Sequence, residues 1–293
     1  MSFKKRLKSK FSGWLEAHSN GSQMSFSSET VRELRMTNDL LRQLIVLNTD
    51  YKNPLNAFGR KVFSQSDEDG ITLEILRRLN IGIGVAVEIG SGDGTENNSL
   101  VLLAAGWRCV WIDLVEVPQD QTIFEGRLKR MKTNVSLENL DEVLQEISSW
   151  AKEINFLSVD VDGMEGYLTT GILARGFRPE VLVVEINRMF PPPLVFKQKY
   201  DPAYVWDKRA NSGWSLQTYV DELREFGYKL IACNGHTGVN AFFVLDRFAG
   251  LFPEVPKDIR DIFIGRGTRN LKYGLDWLVA DKGTVDAILK NEN

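Results

Sequence analysis

Hydrophobic and polar positions alternate with two different periods from about residue 60 onward. Short runs rich in β-branched residues, such as VAVEIG at 85–90 and RCVWID at 108–113, predict strands. The other predicted strands are a short one near 131–135, INFLSVDVD, EVLVVEIN, YKLIACN and GVNAFFVLD. Apolar residues spaced three or four apart predict helices between them. These helices are SQSDEDGITLEILRRL with Ser66 and Asp69 as its start signal, 96–105, about 119–130, 137–152, MEGYLTTGILARG and WSLQTYVDELREFG.

Strands that alternate with helices indicate an α/β protein, because parallel neighbours need a crossover helix to connect them. We therefore predict a Rossmann-like fold with a seven-stranded, mostly parallel sheet. No helix separates the last two strands, which predicts an antiparallel hairpin at one edge. The predicted domains are an N-terminal helical extension (1–55), the sheet domain (56–250) and C-terminal covering helices (251–293).

The N-terminal extension differs in composition from the rest of the chain. Residues 1–15 combine lysine and arginine with apolar residues at helical spacing. Such a helix can lie on an anionic membrane surface, and a solvated arm explains the pattern equally well. Residues 29–48 predict a helix with two apolar faces. One face would pack on the sheet domain and the other on a second subunit in a homo-oligomer, or both would pack within one monomer.

Composition limits the classes of function. The 293 residues carry a formal net charge of -3, which gives no general attraction to nucleic acid, so no nucleic-acid partner is expected. Cys109 and Cys233 lie in apolar strand-like runs and are expected to be buried, reduced thiols. No apolar run reaches the length of about 20 residues that spans a bilayer, and no signal-peptide core follows the basic N-terminus. A cytoplasmic location is expected, with peripheral contact to the inner face of the membrane if residues 1–15 bind lipid.

The strands end in polar residues. The carboxyl ends of strands in an open α/β sheet form the ligand crevice, so these residues predict a site. Each alone is also explained as a loop residue or helix cap, but their meeting at one sheet edge favours function. They are Glu88 and Gly90, Asp113, Asp160 and Asp162, Glu185 and Asn187, and the hairpin residues Asn234, His236 and Asn240.

The motif VEIGSGDG at 87–94 differs from a pyrophosphate-binding loop. It has the spacing GxGxG, and Asp93 places negative charge in the turn, which repels phosphate. A P-loop is excluded by the missing GK[ST]. The turn suits a cationic or zwitterionic ligand such as S-adenosylmethionine (SAM). Asp113, which ends the next strand, can accept hydrogen bonds from both ribose hydroxyls.

Six motifs occur in one order between residues 60 and 246: FSQSDEDG, VEIGSGDG, GWRCVWID, LSVDVDGMEG, VVEIN and GVNAFFV. In these motifs the chain resembles the class I SAM-dependent methyltransferases, and more narrowly their FkbM-type group. The resemblance implies that residues 56–250 are a methyltransferase domain. It places Asn134, or its neighbours Val135 and Ser136, near the adenine. The implied SAM-binding residues are Gln65, Glu88, Gly90, Ser91, Gly92, Gly94, Asp113, Asn134 and Asp160.

Carboxylate and amide oxygens at two neighbouring strand ends suggest a site for Mg²⁺ or a similar cation. The predicted ligands are Asp160, Glu185 and Asn187. This set is similar to that of metal-dependent sugar and catechol O-methyltransferases, although there the last two residues are consecutive and here Ile186 intervenes. The candidates for the general base are Asp162 and His236, and the sequence NGHTG around His236 is equally typical of a polar hairpin turn.

A long insertion at 188–215 follows the fifth strand and predicts a binding loop. Its aromatic residues can stack on sugar faces or pack a small core of their own, and its cations can bind phosphate or carboxylate. These residues are Tyr200, Tyr204, Trp206 and Trp214, and Lys197, Lys199, Lys208 and Arg209.

The function that these features favour is SAM-dependent O-methylation of a hydroxyl on a sugar, glycan or glycosylated small molecule. A divalent metal would assist the reaction. One rival is a glycosyltransferase, because VDVDG contains a DxD that can hold a metal and a nucleotide-sugar. Another is a non-catalytic scaffold that docks to a membrane or a partner.

Overall fold

The computed structural model describes residues 48–115, 126–206 and 211–265, together with residues 33, 34, 36, 37, 40, 41, 44, 46 and 124. The chain divides into two compact units, Met1–Leu41 and Arg42–Asn293. The described residues of the first unit are helical and exposed. Several predictions lie outside the described residues: the basic helix at 1–15, much of the helix at 29–48, the first part of the helix at 119–130, Lys208, Arg209 and the tail from 266.

A seven-stranded sheet forms the core of the second unit. Its strands are β1 (Val85–Ile89), β2 (Arg108–Asp113), β3 (Leu128–Lys132), β4 (Phe156–Val159), β5 (Val181–Glu185), β6 (Tyr228–Cys233) and β7 (Asn240–Leu245). They lie in the order β3-β2-β1-β4-β5-β7-β6. Strands β1 to β5 pair in parallel, and β7 is antiparallel to both β5 and β6. The predicted fold class and edge hairpin are confirmed.

Helices cover the sheet. They are α1 (Glu68–Leu79), α2 (Leu100–Ala104), α3 (Leu140–Trp150), α4 (Glu165–Ala174), α5 (Leu216–Arg224) and α6 (Ile259–Ile262), with 3-10 helices at Pro54–Phe58 and Asp246–Leu251. In α3 the buried residues Leu140, Val143, Leu144 and Ile147 follow the helical period. Each such side chain stabilises the fold by about 1.5–3 kcal/mol when it is fully buried.

The predicted start signal of α1 is wrong. The helix begins at Glu68, and its N-cap Asp67 makes no side-chain capping bond. The Asp69 carboxylate instead accepts hydrogen bonds from the backbone N–H groups of Val62 (2.7 Å), Phe63 (2.6 Å) and Ser64 (2.8 Å). Asp69 therefore closes the preceding loop, because three amide donors bind a carboxylate better than one cap position does.

The predicted helix at 119–130 is also wrong at its described end, where β3 begins at Leu128. Strand β3 lies at the edge of the sheet and is only partly buried, with Leu128 and Met131 as its buried residues. Its basic side chains hide the alternation that identifies a strand. Pairing with β2 overrides the local pattern.

Both cysteines are buried and free, as predicted. Among the described residues there is no helix with the length and apolar character needed to cross a bilayer.

The sheet reverses its strand order between β1 and β4. From β1 the chain proceeds outward to β2 and β3, and it returns to the other side of β1 for β4 and β5. Ligands in open α/β sheets bind beyond the carboxyl ends of the strands at this switch point. Glu88, Gly90, Asp113, Asp160 and Asp162, which were predicted to form a site, lie together at this position.

Candidate functional site at the strand ends

A cleft of about 580 Å³ lies at the carboxyl ends of β1, β2 and β4. Its volume falls within the usual range of small-molecule sites, about 300–1,000 Å³. The structure brings most of the predicted SAM-binding residues together there. Those that line the cleft are Gln65, Glu88, Gly90, Ser91, Gly92, Asp113, Asn134 and Asp160, together with the candidate base Asp162.

The glycines of the motif serve different purposes. Gly90 has φ +90°, and a Cβ at this position would lie 1.5 Å from the carbonyl oxygen of Asp160. Gly90 is therefore required by the close approach of β1 to the end of β4. A Cβ on Gly94 would lie 2.6 Å from the Trp111 ring, so this glycine is required by packing. At Gly92 nothing lies within 4 Å of the Cβ position, so this part of the turn is open to a ligand.

Asp93 forms a local turn at the rim of the cleft. Its Oδ1 accepts hydrogen bonds from the backbone N–H (2.9 Å) and the hydroxyl (2.6 Å) of Thr95. These bonds hold the pKa of Asp93 below its usual value, so the carboxylate stays ionised. Arg130 donates to the backbone carbonyl of Asp93 (3.2 Å) and leaves the carboxylate to Thr95.

Glu88 caps the start of α2 from within the sheet. It is 2% exposed, and its carboxylate oxygens accept from the backbone N–H groups of Asn98 (2.8 Å) and Ser99 (2.9 Å). The Ser99 hydroxyl donates to the same carboxylate. Burial raises the pKa of Glu88 to about 7 against these hydrogen bonds. The amides that would bind a phosphate at a helix start are therefore already occupied by an acid.

Asp113 closes the glycine turn onto the end of β2. Its Oδ2 accepts from the Gly92 N–H (2.8 Å) and its Oδ1 accepts from the Val115 N–H (2.9 Å). Each carboxylate oxygen has a further lone pair, so Asp113 can also accept hydrogen bonds from two hydroxyls of a ligand. Thr133, Asn134 and Val135 line the cleft on the same side.

An acidic cluster lies where β4 and β5 end. Carboxylate oxygens of Asp160, Glu165 and Glu185 lie within 4.8 Å of one another. Burial, followed by repulsion from neighbouring acids, raises the pKa of Asp160 to about 6 and that of Glu165 to about 8. The pKa of Glu185 is raised well above its usual value for the same reasons. No cation of the described chain contributes to these three shifts.

Glu165 was not predicted as a site residue. It is 1% exposed at the start of α4, and its Oε1 accepts from the backbone N–H groups of Val161 (3.0 Å) and Gly163 (2.5 Å). In the sequence an acid at a helix start is most simply a cap. Only the position of α4 beside β5 reveals that this acid also faces Glu185.

Two predicted residues have other contacts. The Asn187 side chain accepts from the Met189 N–H (2.9 Å) and donates to the Ser212 carbonyl (2.7 Å), so it shapes the start of the insertion. His236 lies in the β6–β7 turn, and its backbone N–H donates to the carboxylate of Asp67 (3.0 Å), which precedes α1. His236 is not among the described residues that line the cleft.

The β6–β7 turn is tied to the start of α1 by a buried polar network. Glu68 accepts from the Ser66 N–H (2.8 Å) and from the side-chain amides of Asn234 and Asn240 (3.1 Å each). Burial, and then the charge of Asp67, raises the pKa of Glu68 to about 7. The network holds Gln65, next to Ser66, and Asn240 at the wall of the cleft.

The insertion after β5 has a packed base and a tip that lines the cleft. Its base forms a small core, in which Trp214 is fully buried and Phe190 stacks on Phe196 at 4.0 Å. Tyr200 also belongs to this packed part, since its hydroxyl donates to Glu138 (2.6 Å). The insertion tip, Tyr204, Val205 and Trp206, lines the cleft. Lys197 pairs with Glu222 at 2.6 Å, away from the cleft.

No protein-family model matches the chain, and no curated protein matches it. Several solved structures show a limited similarity. One is the 1,6-didemethyltoxoflavin-N1-methyltransferase of Burkholderia thailandensis with bound S-adenosylhomocysteine, at 12% identity and TM-score 0.38, over 76% of this chain and 91% of that one. The MycE methyltransferase of the mycinamycin pathway, in complex with Mg and S-adenosylhomocysteine, shares 15% identity at TM-score 0.39, over 60% of this chain and 48% of that one.

A SAM-dependent methyltransferase of Geobacter sulfurreducens in complex with S-adenosyl-L-homocysteine gives 15% identity and TM-score 0.33, over 65% of this chain and 72% of that one. This chain thus spans about half the length of MycE and most of the other two. All three TM-scores are below 0.5, so we base the function on the cleft itself.

Proposed function

We propose that this protein is a SAM-dependent methyltransferase of the class I, FkbM-type group, which methylates a hydroxyl of a sugar, glycan or glycosylated small molecule. One observation carries the proposal: the cleft at the strand-order switch point has an acid at each neighbouring strand end, and Glu88 occupies the amides of the helix start. A diphosphate would face this carboxylate. A sulfonium with an ammonium and a ribose suits the same surface.

The cleft residues fit SAM in two places. Asp113 is held by two backbone amides and keeps acceptor capacity for both ribose hydroxyls. The open face of Gly92 lets the ligand approach the backbone closely. Bound SAM supplies an electrophilic methyl carbon on a positively charged sulfur. The acids around the cleft stabilise that charge while the ligand is bound.

The acceptor is proposed to enter between the end of β4 and the insertion tip. The Tyr204 ring lies over Gly163, where a Cβ would be 2.7 Å from it. Tyr204 and Trp206 offer aromatic faces on which a sugar ring can stack. Asp162 lines the same part of the cleft and takes the proton from the acceptor hydroxyl at a carboxylate oxygen.

We also propose that a divalent cation such as Mg²⁺ assists the reaction, held by Asp160, Glu165 and Glu185. Three carboxylates, buried in Glu165 and half-buried in Asp160 and Glu185, have no cationic partner in the described chain and form a hard oxygen ligand set that fits Mg²⁺. A bound cation would lower the pKa of an acceptor hydroxyl. Asp160 also lines the cleft, so the set borders the place where the acceptor would lie.

Calorimetric titration with SAM, S-adenosylhomocysteine, NAD⁺ and a UDP-sugar tests the cofactor. We expect binding of the first two and none of the others. Binding of the UDP-sugar alone would instead support a glycosyltransferase, and binding of none of the four would support a scaffold.

Transfer of a labelled methyl group from SAM to sugars and glycan fractions tests the acceptor, with EDTA to test the metal. We expect label in a glycan fraction, loss of transfer in EDTA and recovery with added Mg²⁺. Asp162→Asn should bind SAM normally and transfer at least about 100-fold more slowly, as for loss of a general base. Equal transfer with and without EDTA would contradict the metal proposal and leave the cofactor proposal standing.

A further inference from the structure

Two residues that line the cleft carry three buried side-chain atoms without a hydrogen-bond partner in the described chain. These atoms are Nδ2 and Oδ1 of Asn97 and Oδ1 of Asn240. Asn97 is 5% exposed and Asn240 is 4% exposed. A buried polar atom without a partner is costly, so a native protein normally provides one, either its own group or a ligand. These atoms are therefore available to a molecule that binds in the cleft.

The position of Asn97 is fixed by its neighbours. Glu88 binds the backbone N–H groups of Asn98 and Ser99, and the Asn98 side chain donates to the Ser158 hydroxyl (3.0 Å). The backbone of Asn97, between this anchored segment and the glycine turn, is therefore held in place at the cleft. The orientation of Asn240 is fixed as well, because its Nδ2 donates to Glu68 and leaves Oδ1 as the remaining acceptor.

The two asparagines are connected through one wall of the cleft. Lys61 donates to the Gln65 carbonyl (3.3 Å) and to Glu96 (3.5 Å), which precedes Asn97. Glu68 joins Ser66, the residue after Gln65, to Asn240. On the other side of the glycine turn, the Asp113 carboxylate accepts a hydrogen bond from the Gly92 N–H. The cleft therefore has a carboxylate side, suited to ribose, and an amide side.

The unpartnered atoms comprise two acceptors and one donor. The amino-acid end of SAM carries an ammonium, which only donates, and a carboxylate, which only accepts. We propose that Asn97 and Asn240 bind this amino-acid end, with their Oδ1 atoms on the ammonium and Asn97 Nδ2 on the carboxylate. The inference rests on the proposed function. It assigns Asn97 to the site and fixes the direction in which the cofactor lies.

Two ligands separate the ends of the cofactor. S-adenosylhomocysteine contains the amino-acid end, and 5′-methylthioadenosine keeps the nucleoside and the sulfur but lacks it. Calorimetry on the full chain should show that Asn97→Ala and Asn240→Ala weaken binding of S-adenosylhomocysteine at least about tenfold, because each loses a hydrogen bond to a charged group. Binding of 5′-methylthioadenosine should not change. Gln217→Ala, which removes an exposed amide on α5, is the control and should bind both ligands as the wild type does.

Asn97→Asp gives a second test that preserves side-chain size. Its added negative charge should repel the ligand carboxylate and again weaken only S-adenosylhomocysteine. Thermal denaturation identifies any variant that is not folded, and the folded variants decide the question. Equal effects on both ligands, or none, would overturn this inference and leave the proposed function intact. If the wild type binds neither ligand, the proposed function fails and the inference fails with it.

Discussion

The acids at the ends of β1 and β2 differ in one respect from those at the ends of β4 and β5. Every carboxylate oxygen of Glu88 and Asp113 accepts a backbone N–H. Among the second group, the backbone amides of the described chain bind only Glu165, while the carboxylate oxygens of Asp160 and Glu185 lie within 4.8 Å of each other. An acid at a strand end thus has two different outcomes. Glu88 and Asp113, which we call the frame, have all their carboxylate oxygens hydrogen-bonded to backbone amides. The acids near the ends of β4 and β5 form a cluster of negative charge without a cationic partner in the described chain.

This difference suits the two regions to different roles. A frame satisfied by its own backbone can position a ligand without moving and without further charge. A cluster of carboxylates that are buried or half-buried remains unfavourable until a proton or a cation neutralises it. In the proposed function, the first region would therefore position the cofactor and the second would bind the cation. Four substitutions test this division, in order of decreasing effect.

Gly90→Ala should disrupt the contact between the end of β1 and the end of β4, where the two regions meet. The added Cβ would overlap the Asp160 carbonyl, and φ at this position is +90°. We expect the free energy of unfolding to fall by more than about 3 kcal/mol and SAM binding to be lost. Gly92→Ala, at φ +55° but with free space, is the matched control and should cost only about 1–2 kcal/mol of backbone strain. Equal losses of unfolding free energy in both variants would show that this contact is not tightly packed.

Glu88→Gln should flatten the pH dependence of stability. The folded-state pKa of Glu88 is raised from 4.5 to about 7 by burial, so the folded protein binds this proton more tightly than the unfolded chain does. The resulting stabilisation is complete below pH 4.5 and is lost as the pH rises through 7. Between these limits the wild type should lose about 3 kcal/mol relative to the variant. Chemical denaturation measures this difference, and parallel curves for the two proteins would contradict it.

Glu185→Gln should have opposite effects with and without metal. At a pH above the raised pKa values of the cluster, removing one carboxylate charge should raise the unfolding free energy in EDTA by about 1–2 kcal/mol, because ionised carboxylates without a cationic partner repel one another. The variant should also lose the stabilisation that Mg²⁺ gives the wild type. Glu180→Gln, whose carboxylate pairs with Arg247 instead, should retain the Mg²⁺ effect. If Mg²⁺ does not change the melting temperature of the wild type, the cluster is not a cation site.

Asp113→Asn should weaken SAM binding about tenfold, which is about 1.4 kcal/mol. The amide keeps one acceptor oxygen, but its NH₂ group must face a backbone N–H of Gly92 or Val115. Because this frame contains no metal ligand, the loss measured by calorimetry should be the same in EDTA and in Mg²⁺. A loss of SAM binding that appears only with Mg²⁺ would show that Asp113 acts together with the cation site, which would contradict the proposed division.

Much of the fold could be predicted from the sequence, because β1, β2, β4 and β5 are buried runs whose alternation with helices is visible in the residues themselves. Strand β3 was misplaced because an edge strand need not alternate in polarity. The start of α1 was misread because Asp69 bonds to amides that precede the helix. Tertiary hydrogen bonds decide both cases, and local spacing does not contain them.

The site was predictable to the extent that strand ends converge. Asp113, Asp160 and Asp162 meet in the cleft as the order of strands requires. Glu165 and Asn97 were missed for a different reason. An acid at a helix start and an asparagine in a turn are common in any protein, and their significance depends on which donors and acceptors remain unpaired after folding.

One part of the insertion after β5 is held by packing on α4, and another part faces the cleft. Trp214 lies against Gly166 of α4, where a Cβ would come within 2.1 Å of its ring, while the described residues of the insertion that reach the cleft are Tyr204, Val205 and Trp206. Exchanging those three would therefore leave the packing of Trp214 on α4 in place. If the acceptor binds at this tip as proposed, a few changes there would alter which acceptor is bound, and directed evolution of substrate range would begin best at these positions.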